Sequence, residues 1–300
     1  MNPVPICLVA HRRPALTAYC LAALADCPEA RDSELHVFVD GPRDKGEALL
    51  TQQVAALCRT ARGFAAVHVA EREWNAGMAQ AVVAAIDTML AKYECAIVVE
   101  DDLLVAPGFL TFMNRGLQAY GGDAEVMGIS GYVMQDLRGS LGERAVFSRR
   151  AACWGWAVWA RSWRRLDRSR ERLLERIAST GLAAFLDPEG GMSMTNRLRQ
   201  GVLGQDNSWS PMWFASVALA DGLFLYPPVS LVNNIGFDGD GTHKLATSAY
   251  DVALHDRDAD FLLPLEVKEH PVIDALFVEA YRKSHLQRLK DEKVAAHGPM

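Results

Sequence analysis

No two cysteines in this 300-residue chain are spaced as a CxxC pair. The six that occur (Cys7, Cys20, Cys27, Cys58, Cys95 and Cys153) sit mostly in apolar runs. This excludes a zinc ribbon and a disulfide framework and leaves buried thiols in a reducing compartment. The chain also lacks a long basic tract, and its net charge is −6, so nucleic acid is excluded as a partner. The densest basic stretch is the local cluster Arg161 to Arg176. No apolar run reaches ~18 residues, and no signal peptide precedes the first expected strand. The expectation is a cytoplasmic chain without a transmembrane segment, with peripheral contact at the inner membrane face left open. No GxGxxG or Walker loop follows that strand, so the usual dinucleotide and P-loop signatures are absent. There is no internal repeat and no low-complexity linker.

What remains is apolar material in alternating patterns. Half of the residues are hydrophobic, enough to bury the core of one large domain or of two closely packed halves. Strands are expected at 5–10, 35–40, 66–70, 96–99, 125–131 and 145–148, with a proline-bearing edge strand within 222–237. Helices are expected at 14–26, 44–61, 78–92, from 107 to about 120, at 161–179 and 208–221, and in the charged tail 271–300. Pro14 at a first helical position and Gly41-Pro42 at a turn mark boundaries. Strands and helices alternating about every thirty residues imply right-handed crossovers and a mostly parallel α/β sheet. A division falls near residue 102, giving halves 1–102 and 103–300 that share one core.

The chemistry concentrates at 96–109. Ala96, Ile97, Val98 and Val99 form a short β-branched run, read as a strand buried on both faces. It runs directly into three consecutive carboxylates, Glu100, Asp101 and Asp102. Alternation would send Glu100 and Asp102 to one face and Asp101 to the other. Open α/β sheets bind ligands at the carboxyl ends of their strands. Crowded carboxylates raise one another's pKa, and a hard cation such as Mg2+ or Mn2+ relieves the repulsion. The competing reading, a solvated acidic turn, suits an exposed strand better than an interior one.

The stretch Ile97-Val-Val-Glu-Asp-Asp-Leu-Leu-Val-Ala-Pro-Gly-Phe109 resembles the Asp-X-Asp-type segment of GT-A-fold inverting glycosyltransferases, in particular N-acetylglucosaminyltransferase I-like and family 2-like enzymes. Further likenesses follow in the same order: Ala10-His11-Arg12, Val39-Asp40, Trp154-Gly155-Trp156, Gln205-Asp206-Asn207-Ser208-Trp209 and Gly241-Thr242-His243. Together they span roughly residues 5–245. Two departures stand out. The catalytic-loop acids are reduced to Asp206 alone, with no tryptophan before it, and the family's Golgi anchor and stem have no counterpart.

The resemblance implies a GT-A-like Rossmann-type nucleotide-binding half with a mostly parallel central sheet, fused to a smaller acceptor-binding half. It implies metal-dependent transfer of a sugar from a nucleoside diphosphate sugar to a hydroxyl of a glycan or lipid-linked acceptor, with inversion, in glycan or polysaccharide synthesis. Asp102 would ligate Mn2+ or Mg2+, Asp101 the ribose and Glu100 the donor sugar. Arg12 would face the diphosphate, and Asp40 the base or ribose. Asn75 and Gly77 would line the nucleoside pocket, although a plain helix cap accounts for them better. Arg13 reads as solvated. Trp156 would offer a flat face to a sugar, although tryptophans at this density also suit a core. The glycine-rich loop 236–247 would close as a lid, bringing Thr242 and His243 to the phosphates. Asp206 would be the catalytic base; its other reading is an N-cap of the 208–221 helix, and Asp136, Asp187 and Glu189 are rivals for the role. The alternatives are a catalytically silent nucleotide- or sugar-binding module and a sugar nucleotidyltransferase.

Overall fold

The computed structural model describes residues 3–188, 191–240, 245–256 and 259–297. The first hundred residues alternate as expected: β1 (Ile6–Ala10), α1 (Pro14–Ala25), β2 (Glu34–Val39), α2 (Ala48–Arg59), β3 (Ala66–Glu71), α3 (Met78–Lys92) and β4 (Cys95–Glu100). Pro14 opens α1, where its fixed φ suits a first helical residue and its missing N–H costs nothing. α3 is entered through Gly77 at φ 80°, a backbone conformation that other residues resist.

The remainder comprises β5 (Leu103–Val105), α4 (Phe109–Ala119), β6 (Val126–Ser130), α5 (Arg138–Leu141), β7 (Val146–Ser148), β8 (Trp156–Trp159) and α6 (Ala160–Trp163). Then follow α7 (Arg170–Thr180), α8 (Ala183–Leu186), α9 (Met194–Val202), α10 (Ser210–Leu219), β9 (Leu223–Tyr226), β10 (Val232–Asn234) and α11 (Ile273–His297).

Eight strands form one mixed sheet in the order β3-β2-β1-β4-β8-β6-β9-β7. β8 and β7 run against the other six, so the sheet is mostly parallel. β5 and β10 make a separate antiparallel pair. The mostly parallel α/β architecture is therefore the one expected of a GT-A-like, Rossmann-type chain.

Strand alternation sorts the core into two layers. Ile6, Leu8 and Ala10 face α1, α2 and α4, packing with Leu24, Val54, Cys58 and Phe112. Cys7 and Val9 face the other way, toward Val82, Ile86 and Met89 of α3 and a group of tryptophans. β1 and β6 are buried at every residue, which is what an interior parallel strand requires. A smaller apolar cluster (Leu173, Ile177, Leu186, Leu198) holds α7 to α10 together. All six cysteines are free, and four are fully buried.

Three expectations are corrected. The helix expected at 161–179 breaks after Trp163, because Ser169 caps a new helix by accepting from Arg172 N. The strand expected at the sheet edge within 222–237 is two strands, and β9 is interior, between β6 and β7. Its prolines, Pro227 and Pro228, lie just beyond the ladder, where a missing N–H costs no sheet hydrogen bond. The tryptophan-rich stretch also contains a strand, β8, that its composition hid. In the cluster Arg161 to Arg176, several arginines pair with carboxylates and carbonyls: Arg168 with Asp87 and Arg172 with Asp167 at the surface, and Arg161 with the carbonyls of Tyr120 and Val126.

Candidate active site

β4 lies between β1 and β8, and it delivers Glu100 to the carboxyl end of the sheet. There the chain turns at residues 101 and 102 before entering β5. The expected alternation therefore stops at Glu100, and Asp101 and Asp102 both approach the end of β1. Asp101 Oδ2 accepts from His11 N at 3.0 Å and from the Thr17 hydroxyl at 3.4 Å. Burial pushes Glu100 up to about 8, with Asp102 and Asp101 adding repulsion. Burial, and then Asp102, pushes Asp101 up to about 7. Asp102 is also raised, chiefly by burial, against the pull of Arg13. A quarter of the Asp102 side chain stays open to solvent, so a ligand can still reach it.

The cation beside this triplet is Arg13, a residue the sequence places in solvent. The structure corrects that expectation. Arg13 Nη1 stands 3.8 Å from Asp102 Oδ2 and donates to the Gly236 carbonyl at 3.2 Å, while Nη2 bonds the Asp238 carboxylate. Arg12 is held by Glu47, with Nε 3.0 Å from Oε1, and its Nη2 donates to the Asp240 carbonyl at 2.9 Å. Both arginines thus fasten the 236–240 segment over the acids. Gly236 is required there: a Cβ at this position would lie 2.0 Å from Asp102 Oδ2. Thr242 and His243 lie outside the described residues, as does Glu189.

Asp40, at the end of β2, is 5% exposed and fully engaged. Its carboxylate accepts from Asn75 Nδ2 at 2.9 Å and from the backbone N–H groups of Ala76 and Gly77 at 3.0 and 3.2 Å. Asn75 also donates to the Gly41 carbonyl and contacts His11 Nε2. Asp40, Asn75 and Gly77 are thereby brought together where they fix the start of α3, with β1 lying between Asp40's strand β2 and the acid-bearing β4.

Trp156 requires a correction. It is fully buried within β8, stacked on Trp209 at 5.8 Å and packed on Trp213 and Trp163. It lies beneath the site and cannot offer a face to a sugar. Its place in an interior strand decided this: β8 lies between β4 and β6 and is buried at every residue, whereas Trp154 precedes the strand and stays partly exposed. Trp154 meets Tyr132, Phe237 and Tyr250 edge-on at 4.9 to 5.6 Å. Phe237 follows Gly236 directly, so this aromatic wall stands beside Asp102. Gly155 approaches Val232 rather than open space.

Asp206 belongs to a second layer. Its Oδ1 accepts from Ser208 N at 2.6 Å, and Oδ2 pairs with Arg197 Nε of α9 at 2.9 Å. It is not the N-cap of α10; Trp209 occupies that place. Partial burial raises its pKa, but the bonds from Ser208 and Arg197 outweigh that, and the net shift is downward. Cys153 connects the two layers electrostatically: burial pushes its thiol up to about 12, Glu100 adds to the rise and Arg197 opposes it. The rivals are committed elsewhere. Asp136 pairs with Arg138, and Asp187 binds Thr195 at the start of α9.

Arg13 carried no sequence motif of its own, whereas Trp154 lay in the Trp154-Gly155-Trp156 likeness and Gly236 and Asp238 in the glycine-rich loop 236–247. The adjacency of Arg13 to Arg12 was the one available signal, and only the fold shows that both arginines point inward.

No family model matches the chain, and no curated protein matches it. Among solved structures it is similar to the galactosyltransferase LgtC in complex with donor and acceptor sugar analogues, at 11% identity over 57% of this chain and 65% of that one, with a TM-score of 0.34. An active-site mutant of LgtC is similar at 12% identity over 57% and 64%, with a TM-score of 0.35. The chain thus spans just under two thirds of the length of those structures. Among the described residues, no helix is long and apolar enough to cross a membrane.

Proposed function

We propose that this chain is a metal-dependent glycosyltransferase. It would move a sugar from a nucleoside diphosphate sugar to a hydroxyl of a glycan or lipid-linked acceptor, with inversion, in glycan or polysaccharide synthesis. The observation that carries this reading is the crowding of Glu100, Asp101 and Asp102 at the carboxyl end of an interior strand. Burial raises all three, repulsion from neighbouring acids of the triplet adds to Glu100 and Asp101, and Arg13 is the cation beside them. Oxygen ligands alone, one of them open to solvent, suit Mn2+ or Mg2+. Asp102 would hold the ion, which when bound neutralises the leaving diphosphate.

The remaining work falls to side chains. Asp101 takes the ribose and Glu100 the donor sugar. Arg12 and Arg13 supply guanidinium forks next to the acids for phosphate oxygens. Asp40, Asn75 and Gly77 form the turn that walls the nucleoside side. Loop 236–247, whose residues 241–244 lie outside the described residues, would cover the donor with Thr242 and His243 toward the phosphates and so exclude water that would otherwise hydrolyse it. Asp206 accepts the acceptor's hydroxyl proton as the oxygen attacks the anomeric carbon from the face opposite the diphosphate. The bond from that carbon to the phosphate oxygen breaks, and the nucleoside diphosphate departs. The lowered pKa keeps Asp206 ionised but weakens it as a base, so the bonds from Ser208 and Arg197 would have to loosen as it takes that proton. The acceptor would come from the cytoplasmic side, lipid-linked acceptors bringing the protein into peripheral contact with the inner membrane face.

The test is a thermal-shift screen of nucleoside diphosphates and nucleotide sugars, with and without manganese, on the native chain and on Asp102→Asn. A ligand that binds the folded state alone raises its melting temperature. The expected result is a shift that needs manganese and disappears in Asp102→Asn. A shift of equal size without manganese, or in Asp102→Asn, would overturn the metal assignment. Incubation of the stabilising donor with acceptors separates transfer from a silent binding module, and release of pyrophosphate from a nucleoside triphosphate and a sugar 1-phosphate would point to nucleotidyl transfer instead. NMR of the anomeric proton in donor and product reads the stereochemistry.

A further inference from the structure

A second cluster of metal-ligating side chains lies away from the acids, at the β3 edge of the sheet. His36 of β2 and His68 of β3 are direct partners across the parallel ladder. Their rings stack with centroids 4.6 Å apart and an interplanar angle of 24°. Glu34 is two residues before His36, so both side chains stand on the same face of β2. Glu34 Oε2 lies 3.1 Å from His36 Nε2 and 3.6 Å from His68 Nε2. One ligand atom from each of the three residues falls within 4.8 Å of the other two.

We propose that Glu34, His36 and His68 form a site for a first-row divalent ion of the zinc type, fastening edge strand β3 to β2. Two imidazole nitrogens and one carboxylate oxygen make a borderline donor set that suits Zn2+ better than Mg2+ or Ca2+. Tetrahedral zinc with bonds of about 2.0–2.1 Å needs donors about 3.3 Å apart, close to the two separations to Glu34. The fourth position faces solvent, since the side chains of His68 and Glu34 are 53% and 43% exposed.

The surroundings support the set. The Tyr93 hydroxyl donates to Glu34 Oε2 at 2.8 Å and holds the carboxylate toward the rings, as partners behind metal ligands do. A bound ion takes the place of the hydrogen bond between His36 Nε2 and Glu34 Oε2, and the exposed His68 ring turns out of its stack on His36 so that both nitrogens aim at the ion.

The experiment is calorimetric titration of the full metal-free chain with zinc, for native protein, His68→Ala, Glu34→Gln and Asp102→Asn. His68 is at the sheet surface, and unchanged metal-free melting of His68→Ala verifies that the variant folds. The expected result is one zinc equivalent on native protein, with affinity at least tenfold weaker in His68→Ala and Glu34→Gln and unchanged in Asp102→Asn. Zinc should raise the melting temperature of native protein and leave that of His68→Ala in place. Cobalt should produce the intense visible absorption of a tetrahedral site in native protein, absent from His68→Ala. Equal zinc affinity in native protein and His68→Ala, or no zinc bound by native protein, would overturn the proposal. Loss of zinc binding in Asp102→Asn alone would assign the ion to the acid triplet instead.

Discussion

Arg13 Nη1 stands 3.8 Å from Asp102 Oδ2, and the same guanidinium bonds Asp238 and the Gly236 carbonyl across from it. One cation therefore offsets the acid triplet and fastens the segment that passes over it. If a nucleoside diphosphate binds here, its phosphates meet that guanidinium. Replacing Arg13 by alanine should weaken a nucleoside diphosphate about ten- to hundredfold and the bare nucleoside hardly at all, since a hydrogen bond to a charged group carries about 1.5–3 kcal/mol. Calorimetry with the two ligands checks this. Equal losses for both would place the phosphates elsewhere.

Gly236 offers a test that leaves every charge in place. Alanine there would set its Cβ 2.0 Å from Asp102 Oδ2, so the carboxylate must swing away. Manganese-dependent nucleotide binding should fall by at least ~10-fold in Gly236→Ala, the scale on which a misplaced metal ligand or its support acts. Circular dichroism and melting should stay close to native, because the clash is with a side chain end and not with backbone. Unchanged manganese dependence would show that Asp102 is not the ligand.

The pH dependence of stability follows from the raised acids. Glu100 and Asp101 hold their protons to about 8 and about 7 in the folded chain, against ordinary values of 4.5 and 3.8. Between those limits the native state binds more protons than the unfolded one, so their contribution falls as pH rises from about 5 to 8. His11 and His36, lowered by burial, act in the opposite sense near pH 6.5. The readout is therefore a difference. Glu100→Gln, uncharged throughout, should gain melting temperature relative to native protein as pH climbs from 5 to 8, and manganese should shrink that gain. A constant difference across the window would show that Glu100 is not held protonated.

Much of this arrangement was legible in the sequence, and for identifiable reasons. Short β-branched runs and well-spaced helices fixed β1 to α3 to within a few residues. Three carboxylates after a buried run pointed to the carboxyl end of an interior strand. What was hidden depends on contacts between distant segments. β8 is four residues of which two are tryptophan, a composition that fits core, helix or binding face alike, and its strand character comes from pairing with β4 and β6. Trp156 reads as a surface for sugar until the pairing of β8 between β4 and β6 buries both faces of that strand. Arg13 reads as solvated until the 236–240 segment arrives from more than two hundred residues away.

The last prediction separates roles for Asp206. Asparagine keeps the acceptor oxygen for Ser208 N but loses the charge that pairs with Arg197 and the capacity to take a proton. Asp206→Asn should therefore melt within a few degrees of native and bind donor normally. If Asp206 is the base, turnover should fall by at least ~10²-fold. In native protein the acid limb of the kcat profile should move upward on Arg197→Gln, as the bond that lowers the Asp206 pKa is removed. Retained turnover in Asp206→Asn would move the base elsewhere.

The antiparallel strand β8 also sets a schedule for synthesis. β4 pairs with β1 on one side and with β8 on the other. When the ribosome has released β4, its second edge has no partner until the chain has grown by about sixty residues. At about 5–20 residues per second that interval lasts roughly 3–12 seconds. Throughout it, a strand made of Ala96, Ile97, Val98 and Val99 presents open backbone to any neighbouring nascent chain, the circumstance in which edge-to-edge aggregation starts. The acids that follow immediately act as gatekeepers during those seconds: before they meet any ligand, Glu100, Asp101 and Asp102 place charge at the tip of the exposed edge.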